Sequence, residues 1–110
     1  GSFVFSAEHP VFTAEGSQQW IRGDAGEPLH WPVDNYYIEG KRSAVFLGEP
    51  VAKYHRTLTA YVNGLLAAGF EITGLVEPQP EAALLDTVPG MRDELRRPMM
   101  LSLSAVRKQA

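Results

Sequence analysis

Apolar positions between Thr57 and Glu77 fall into two successive patterns. Leu58, Tyr61, Val62, Leu65 and Leu66 sit at i, i+3, i+4, i+7 and i+8, one stripe of an amphipathic helix. Thr57 suits the N-cap, because its hydroxyl accepts a free N–H of the first turn. Gly69 suits the left-handed residue after the last turn. Gly64 is a poor helix former, which predicts that a neighbouring backbone comes close there. From Phe70 the period changes to two. Phe70, Ile72, Gly74 and Val76 are predicted on one side of a strand, and Glu71, Thr73, Leu75 and Glu77 on the other.

Elsewhere the pattern predicts a strand over Phe3–Ala7, ended by Glu8-His9-Pro10 because Pro10 cannot donate to a ladder. Val11 to Pro32 has no period and carries Gly16, Gly23, Gly26, Pro28 and Pro32. Trp20, Ile21, Leu29 and Trp31 make it too apolar for plain disorder, so it reads as a lid or cover. Lys41–Leu47 and Val51–Arg56 alternate around Gly48-Glu49 and predict a hairpin with a type II′ turn. Tyr54 and His55 then point to opposite faces. Glu81–Asp86 and Pro89–Arg96 read as short helices. Met99–Val106 reads as a last strand with Met99, Leu101, Leu103 and Ala105 on one face. Ser102 and Ser104 on its other face would allow a helix to pack closely. A helix between the first two core strands implies a crossover and a parallel pair; the last strand can return antiparallel.

The length of 110 residues suits one domain, and 45% hydrophobic with 21% charged residues is the balance of a globular protein. A net charge of −3 with scattered Lys and Arg argues against nucleic acid as a partner. Arg96-Arg97 and Arg107-Lys108 read as solvated surface. There is no cysteine, hence no disulfide framework or thiolate metal site, which fits a reducing cytoplasm. No apolar run reaches the ~20 residues of a membrane span. The chain enters a strand almost at once. Gly1-Ser2 reads as a tag remnant or the end of a turn, and the chain as cut from something longer.

No glycine-rich nucleotide loop, nucleophile elbow or metalloprotease motif occurs. Glu8-His9 ends the first strand, where open α/β sheets bind ligands; His9 is either a base or a turn-closing residue. In Tyr54-His55-Arg56, His55 can take a proton near neutral pH and Arg56 can hold an anion at a helix start. The alternative is hairpin packing with Tyr54 half-buried. Trp20, Trp31, Tyr36, Tyr37 and Phe46 either line an apolar pocket or anchor the insertion. The spacing of His9, His30 and His55 matches no metal-ligand pattern.

The segments GSFVFSAEHPVFT, WPVDNYY, VAKYHRTLTAYVNGLLAAGFEITGLVEPQP and DELRRPMMLSLSAVRK, in that order, resemble the C-terminal part of class I S-adenosylmethionine-dependent methyltransferases of the small-molecule, type 11-like group. The resemblance covers nearly the whole chain. It implies an α/β fold, the C-terminal portion of a Rossmann-like methyltransferase sheet. Ser2–Ala7, Phe70–Glu77 and Met99–Val106 would be strands five, six and seven, the last antiparallel between the other two. Residues 1–110 would be one partial domain, with 10–56 a hairpin-containing insertion over the acceptor pocket and 57–106 a helix–strand–strand core.

The resemblance makes Glu8, His9, Tyr36, Tyr54 and His55 acceptor-side candidates by location. His9 and His55 are the candidate bases, and Glu8, Trp31, Tyr36, Tyr54 and Arg56 the candidate substrate contacts. The family's glycine-rich donor loop and ribose-binding acid are missing from this sequence. S-adenosylmethionine would serve the complete enzyme, with none expected on this chain alone. A small-molecule acceptor is implied, with transfer by in-line attack on the sulfonium methyl. Competing readings are a small α+β ligand-binding module and an interaction module. In the last, a bare sheet edge or an exchanged insertion makes a homodimer.

Overall fold

A computed structural model describes residues 2–108. Gly1, part of the proposed tag remnant, lies outside them. The elements in chain order are β1 (Ser2–Glu8), α1 (Pro10–Thr13), β2 (Ile21–Arg22), β3 (Pro28–His30), β4 (Gly40–Phe46), β5 (Glu49–His55), α2 (Leu58–Ala67), β6 (Phe70–Val76) and β7 (Met100–Arg107). The two short helices expected between β6 and β7 are 3-10 turns, Ala82–Leu84 and Met91–Arg96. The fold is mixed α/β with small antiparallel sheets.

The main sheet has the order β1-β7-β6, with β7 antiparallel to both neighbours. β1 and β6 therefore run parallel, as a helical crossover demands. They do not pair, because β7 lies between them. β7 carries the core: Leu101 and Leu103 are 0% exposed and Ala105 1%. Residues opposite one another on a ladder share a face. That places Phe3, Phe5 and Ala7 of β1 beside Ala105, Leu103 and Leu101. The small Ala105 leaves room for Phe3 and Phe70 to meet above it, their ring centres 5.3 Å apart.

β6 departs from strict alternation. Its register shifts between Ile72 and Gly74, so Thr73 is an extra residue. Leu75 thereby moves opposite Leu103, onto the Ile72 side, and Gly74 falls opposite Ser104. Glycine is needed at 74, since a Cβ there would lie 2.8 Å from the Ser104 hydroxyl.

α2 begins as expected. The Thr57 hydroxyl accepts from Ala60 N at 3.1 Å, and Gly69 follows the helix at φ 91°. Leu58, Tyr61, Val62 and Leu65 are half-buried and Leu66 is exposed. Tyr61 meets Phe5 at 5.5 Å, so the helix covers the Leu101–Leu103 face rather than the serine face. On the serine face Ser6 bonds Ser102 at 2.9 Å and Thr73 bonds Ser104 at 3.2 Å. Around Gly64 no neighbour lies within 4 Å of a Cβ position, so its expected close backbone contact is absent.

Residues 10–56 hold more structure than their lack of period suggested. α1 follows directly on Pro10, and β2 pairs with β3. The β4–β5 hairpin closes through Leu47-Gly48, since Phe46 is already paired with Glu49. Both linking residues have positive φ, 53° and 83°, which makes the turn type I′ rather than II′.

Candidate functional site

The parallel course of β1 and β6 brings their carboxyl ends to the same border of the sheet. There His9 N donates to Met99 O at 2.8 Å, extending the β1–β7 ladder by one bond. The His9 side chain is the N-cap of α1: Nδ1 accepts from Val11 N at 3.0 Å. With Nδ1 an acceptor, the ring proton of the neutral imidazole sits on Nε2. Nε2 then donates to Glu77 Oε2 at 2.6 Å, tying the end of β1 to the end of β6. His9 is 5% exposed, whereas the Glu77 carboxylate is half-exposed and borders a cleft of about 310 Å³ with Gln79, Glu94, Arg96 and Arg97.

His55 is 0% exposed. Its Nε2 donates to the Tyr36 carbonyl and its Nδ1 takes the Thr13 hydroxyl, both at 2.7 Å. These two bonds pin the hairpin to α1 and to the loop that precedes it. Tyr54, on the opposite face as alternation requires, is 64% exposed. The Tyr36 hydroxyl accepts from Leu58 N at 3.0 Å, and Glu39 accepts from Thr57 N at 3.0 Å. Most of the N–H groups with which the start of α2 could hold an anion beside Arg56 are thus occupied. Arg56 instead borders an open cleft with Phe5, Tyr61 and Gly64. Glu8 meets Lys53 and Gln18, each at 3.3 Å.

The aromatic set divides. Trp31 stacks on Phe12 at 4.9 Å, meets Trp20 edge-on at 5.3 Å and donates Nε1–H to Val11 O at 3.2 Å. Tyr36 and Tyr37 form a separate pair, and Phe46 is exposed at the hairpin tip. Arg97, read from the sequence as solvated, is 8% exposed. Its guanidinium lies 4.3 Å from the centre of Trp31, 5.0 Å from Phe12 and 5.2 Å from Trp20. A guanidinium is weakly hydrated and stacks on rings, so burial there is tolerable once a carboxylate balances it. Glu94 does so with two bonds, 2.7 and 3.2 Å, which leaves Nε without a partner among the described residues.

The border of the sheet therefore joins His9 to Glu77, which shares a cleft with Glu94 and Arg97, while Glu8 turns to Lys53 and Gln18 of the insertion. Trp31 stands behind Arg97. Tyr36 and His55 form a second cluster on the insertion, and Tyr54 and Arg56 face elsewhere. Glu77, Glu94 and Arg97 were missed as site residues. The RRP run before β7 held a signal, because an arginine just ahead of a buried strand's entry has core within reach. Among the described residues no group of three His, Asp or Glu is placed to hold a metal ion.

A nucleoside-bearing methyl donor needs the free N–H groups of a glycine-rich turn that opens a helix. The residues before α1 and α2 contain no such turn, and Val11 N of α1 and Leu58 N and Ala60 N of α2 are already bonded. The described residues do not fit the donor.

No protein-family model matches the sequence. The chain is 30% identical to an uncharacterized protein of Haemophilus influenzae, a match that covers 96% of this chain and 41% of that protein. The crystal structure of a Listeria monocytogenes protein described as an S-adenosylmethionine-dependent methyltransferase matches with a TM-score of 0.90 and 54% identity. That match covers 99% of this chain and 49% of the other. An S-adenosylmethionine-dependent methyltransferase from Mesorhizobium loti matches with a TM-score of 0.81 and 39% identity, over 97% and 48% of the two chains. The chain thus spans less than half the length of each of these proteins. Over that span it is similar to the C-terminal part of a class I S-adenosylmethionine-dependent methyltransferase, the family its sequence resembles.

Proposed function

We propose that this chain is the C-terminal part of an S-adenosylmethionine-dependent methyltransferase that acts on a small molecule in the cytoplasm. It would form the acceptor-side wall and be inactive alone. The observation that carries this reading is the match of 99% of the chain to about half of one such protein at 54% identity. In this reading β1, β6 and β7 are strands five, six and seven of a Rossmann-like sheet. Residues 10–56 are the insertion over the acceptor, and 57–106 the helix–strand–strand core. The donor belongs to the other part of the protein.

Glu8 and His9 stand at the carboxyl ends of the strands, where ligands of open α/β sheets sit. Of the two candidate bases, His9 borders the cleft only through its bond to the half-exposed Glu77, whose carboxylate would be the group that takes a proton, and His55 has no exposed surface. Trp31 would back the pocket through Arg97, and Tyr36 would hold the insertion. Tyr54 and Arg56, on exposed faces, would meet the acceptor only if the rest of the protein folds over them. The test is release of demethylated donor from labelled S-adenosylmethionine, with a mixture of small-molecule acceptors. A protein carrying both parts is expected to turn over and the 110-residue chain is not. Turnover by the chain alone, or none by the longer protein, contradicts the proposal.

A second reading, a homodimer, is favoured by exposed apolar residues. Val4 and Val76 on the serine face are 72% and 58% exposed, and Leu47 at the hairpin tip is 87% exposed. The outer edge of β1 has no partner strand among the described residues. Pairing of two β1 edges or exchange of the hairpin would cover these groups. Light scattering is expected to give twice the chain mass, and a monodisperse monomer would remove this reading.

A further inference from the structure

We propose that the clefts at the carboxyl ends of β1 and β6 take a small molecule with an apolar body and a protonated amine, and that Glu77 recognises the amine. The carboxylate is positioned rather than merely exposed. His9, buried and fixed by its cap to α1, holds Oε2 through Nε2–H at 2.6 Å. Oε1 accepts no hydrogen bond from the described residues and remains for a ligand. The other charges around the same cleft are matched. Glu94 is bound by Arg97, and Arg96 by Asp93 and by the carbonyls of Pro28 and Leu29. Glu77, held by a ring N–H on one oxygen only, is the carboxylate of this cleft with no Lys or Arg partner among the described residues, which favours a cation.

The polar cleft is continuous with an apolar one of about 440 Å³, since the two share Pro78, Gln79 and Glu94. Pro80, Pro89, Met91, Met99 and Met100 supply most of its remaining wall. Methionine and proline offer adaptable and rigid apolar surface respectively, and suit a ring or short chain. This inference deepens the methyltransferase reading by naming an acceptor class. It rests on that reading only for the claim that the occupant is methylated.

The test compares two probes with one apolar body and opposite charge, 2-phenylethylammonium and phenylacetate. Each is titrated into the full 110-residue chain while the amide resonances of Gln79, Glu94 and Met99 are followed. The ammonium is expected to shift these amides and to bind about tenfold more tightly than the carboxylate, the size of one charged hydrogen bond. Glu77→Gln, which keeps an oxygen for His9 Nε2–H, is expected to erase the preference. Asp86→Asn, in a surface pair with Arg92, leaves it intact. Equal affinities, a preference that survives Glu77→Gln, or no shift of these amides with either probe overturns the proposal. The probe comparison on the unaltered chain decides the matter even if the variant fails to fold. Amine binding without methyl transfer by the longer protein would sink the methyltransferase reading alone. Methyl transfer with no charge preference would sink the amine site alone.

Discussion

The three-stranded sheet and the 10–56 segment are held together by different physics. In the sheet, two ladders flank β7, and the side chains that matter are apolar: Leu101, Leu103, Ala105, and Phe3 against Phe70. In the 10–56 segment the ties are polar groups reaching backbone carbonyls. Arg42 donates to Ala14 O at 2.7 Å, to Ile38 O at 2.7 Å and to Asn35 O at 3.1 Å. His55 donates to Tyr36 O, Trp31 to Val11 O, and Arg96 to Pro28 O and Leu29 O. Truncating an apolar side chain of the sheet weakens the whole fold. Cutting a polar tie of the segment leaves a carbonyl without that donor and frees one stretch of chain.

The largest effect is expected from Leu103→Ala, which empties a fully buried position on the central strand. It should cost between about 2 and 5 kcal/mol, read as a lower urea midpoint with faster amide exchange in β1, β6 and β7 together. His55→Ala comes next, at about 2 kcal/mol, since it strands the Tyr36 carbonyl and the Thr13 hydroxyl. Hydrogen exchange is expected to rise in β4 and β5 while β7 keeps its protection. Loss of protection in β7 as well would erase the distinction between the two regions.

Arg97→Lys sharpens the comparison where the regions meet. Lysine keeps the charge and loses the planar fork that stacks on Trp31 and grips Glu94. A loss of about 1 kcal/mol is expected, with altered fluorescence of Trp20 and Trp31. Unchanged fluorescence would mean that the stacking is incidental. Leu47→Asn should stabilise by roughly 0.5 kcal/mol, because asparagine tolerates the positive φ of a type I′ turn better than leucine. A higher melting temperature checks this, and a lower one would show that Leu47 packs against something in solution.

The same contrast explains what the sequence discloses. α2, its Thr57 cap, its Gly69 stop and the buried face of β7 follow from spacing and from residues with one strong local preference. β6 misled at Thr73, because a bulge is decided by the partner strand; Gly74 opposite Ser104 was its trace. The turn at Leu47-Gly48 was placed one residue late, because the pairing of Phe46 with Glu49 outweighs the expectation that glycine comes first. β2, β3 and α1 had no periodic signal to give, being two, three and four residues long, too short for a period to repeat. The place of Glu8 and His9 at a strand end was legible. Glu77 and Arg97 were not, because their roles come from His9 and from three rings that lie far off in sequence.

The central claim is that these residues hold the acceptor and not the donor of methyl transfer. Calorimetric titration of the 110-residue chain with S-adenosylmethionine tests it most directly. The expected result is no saturable heat at micromolar concentration. A micromolar dissociation constant for this chain alone would contradict the claim.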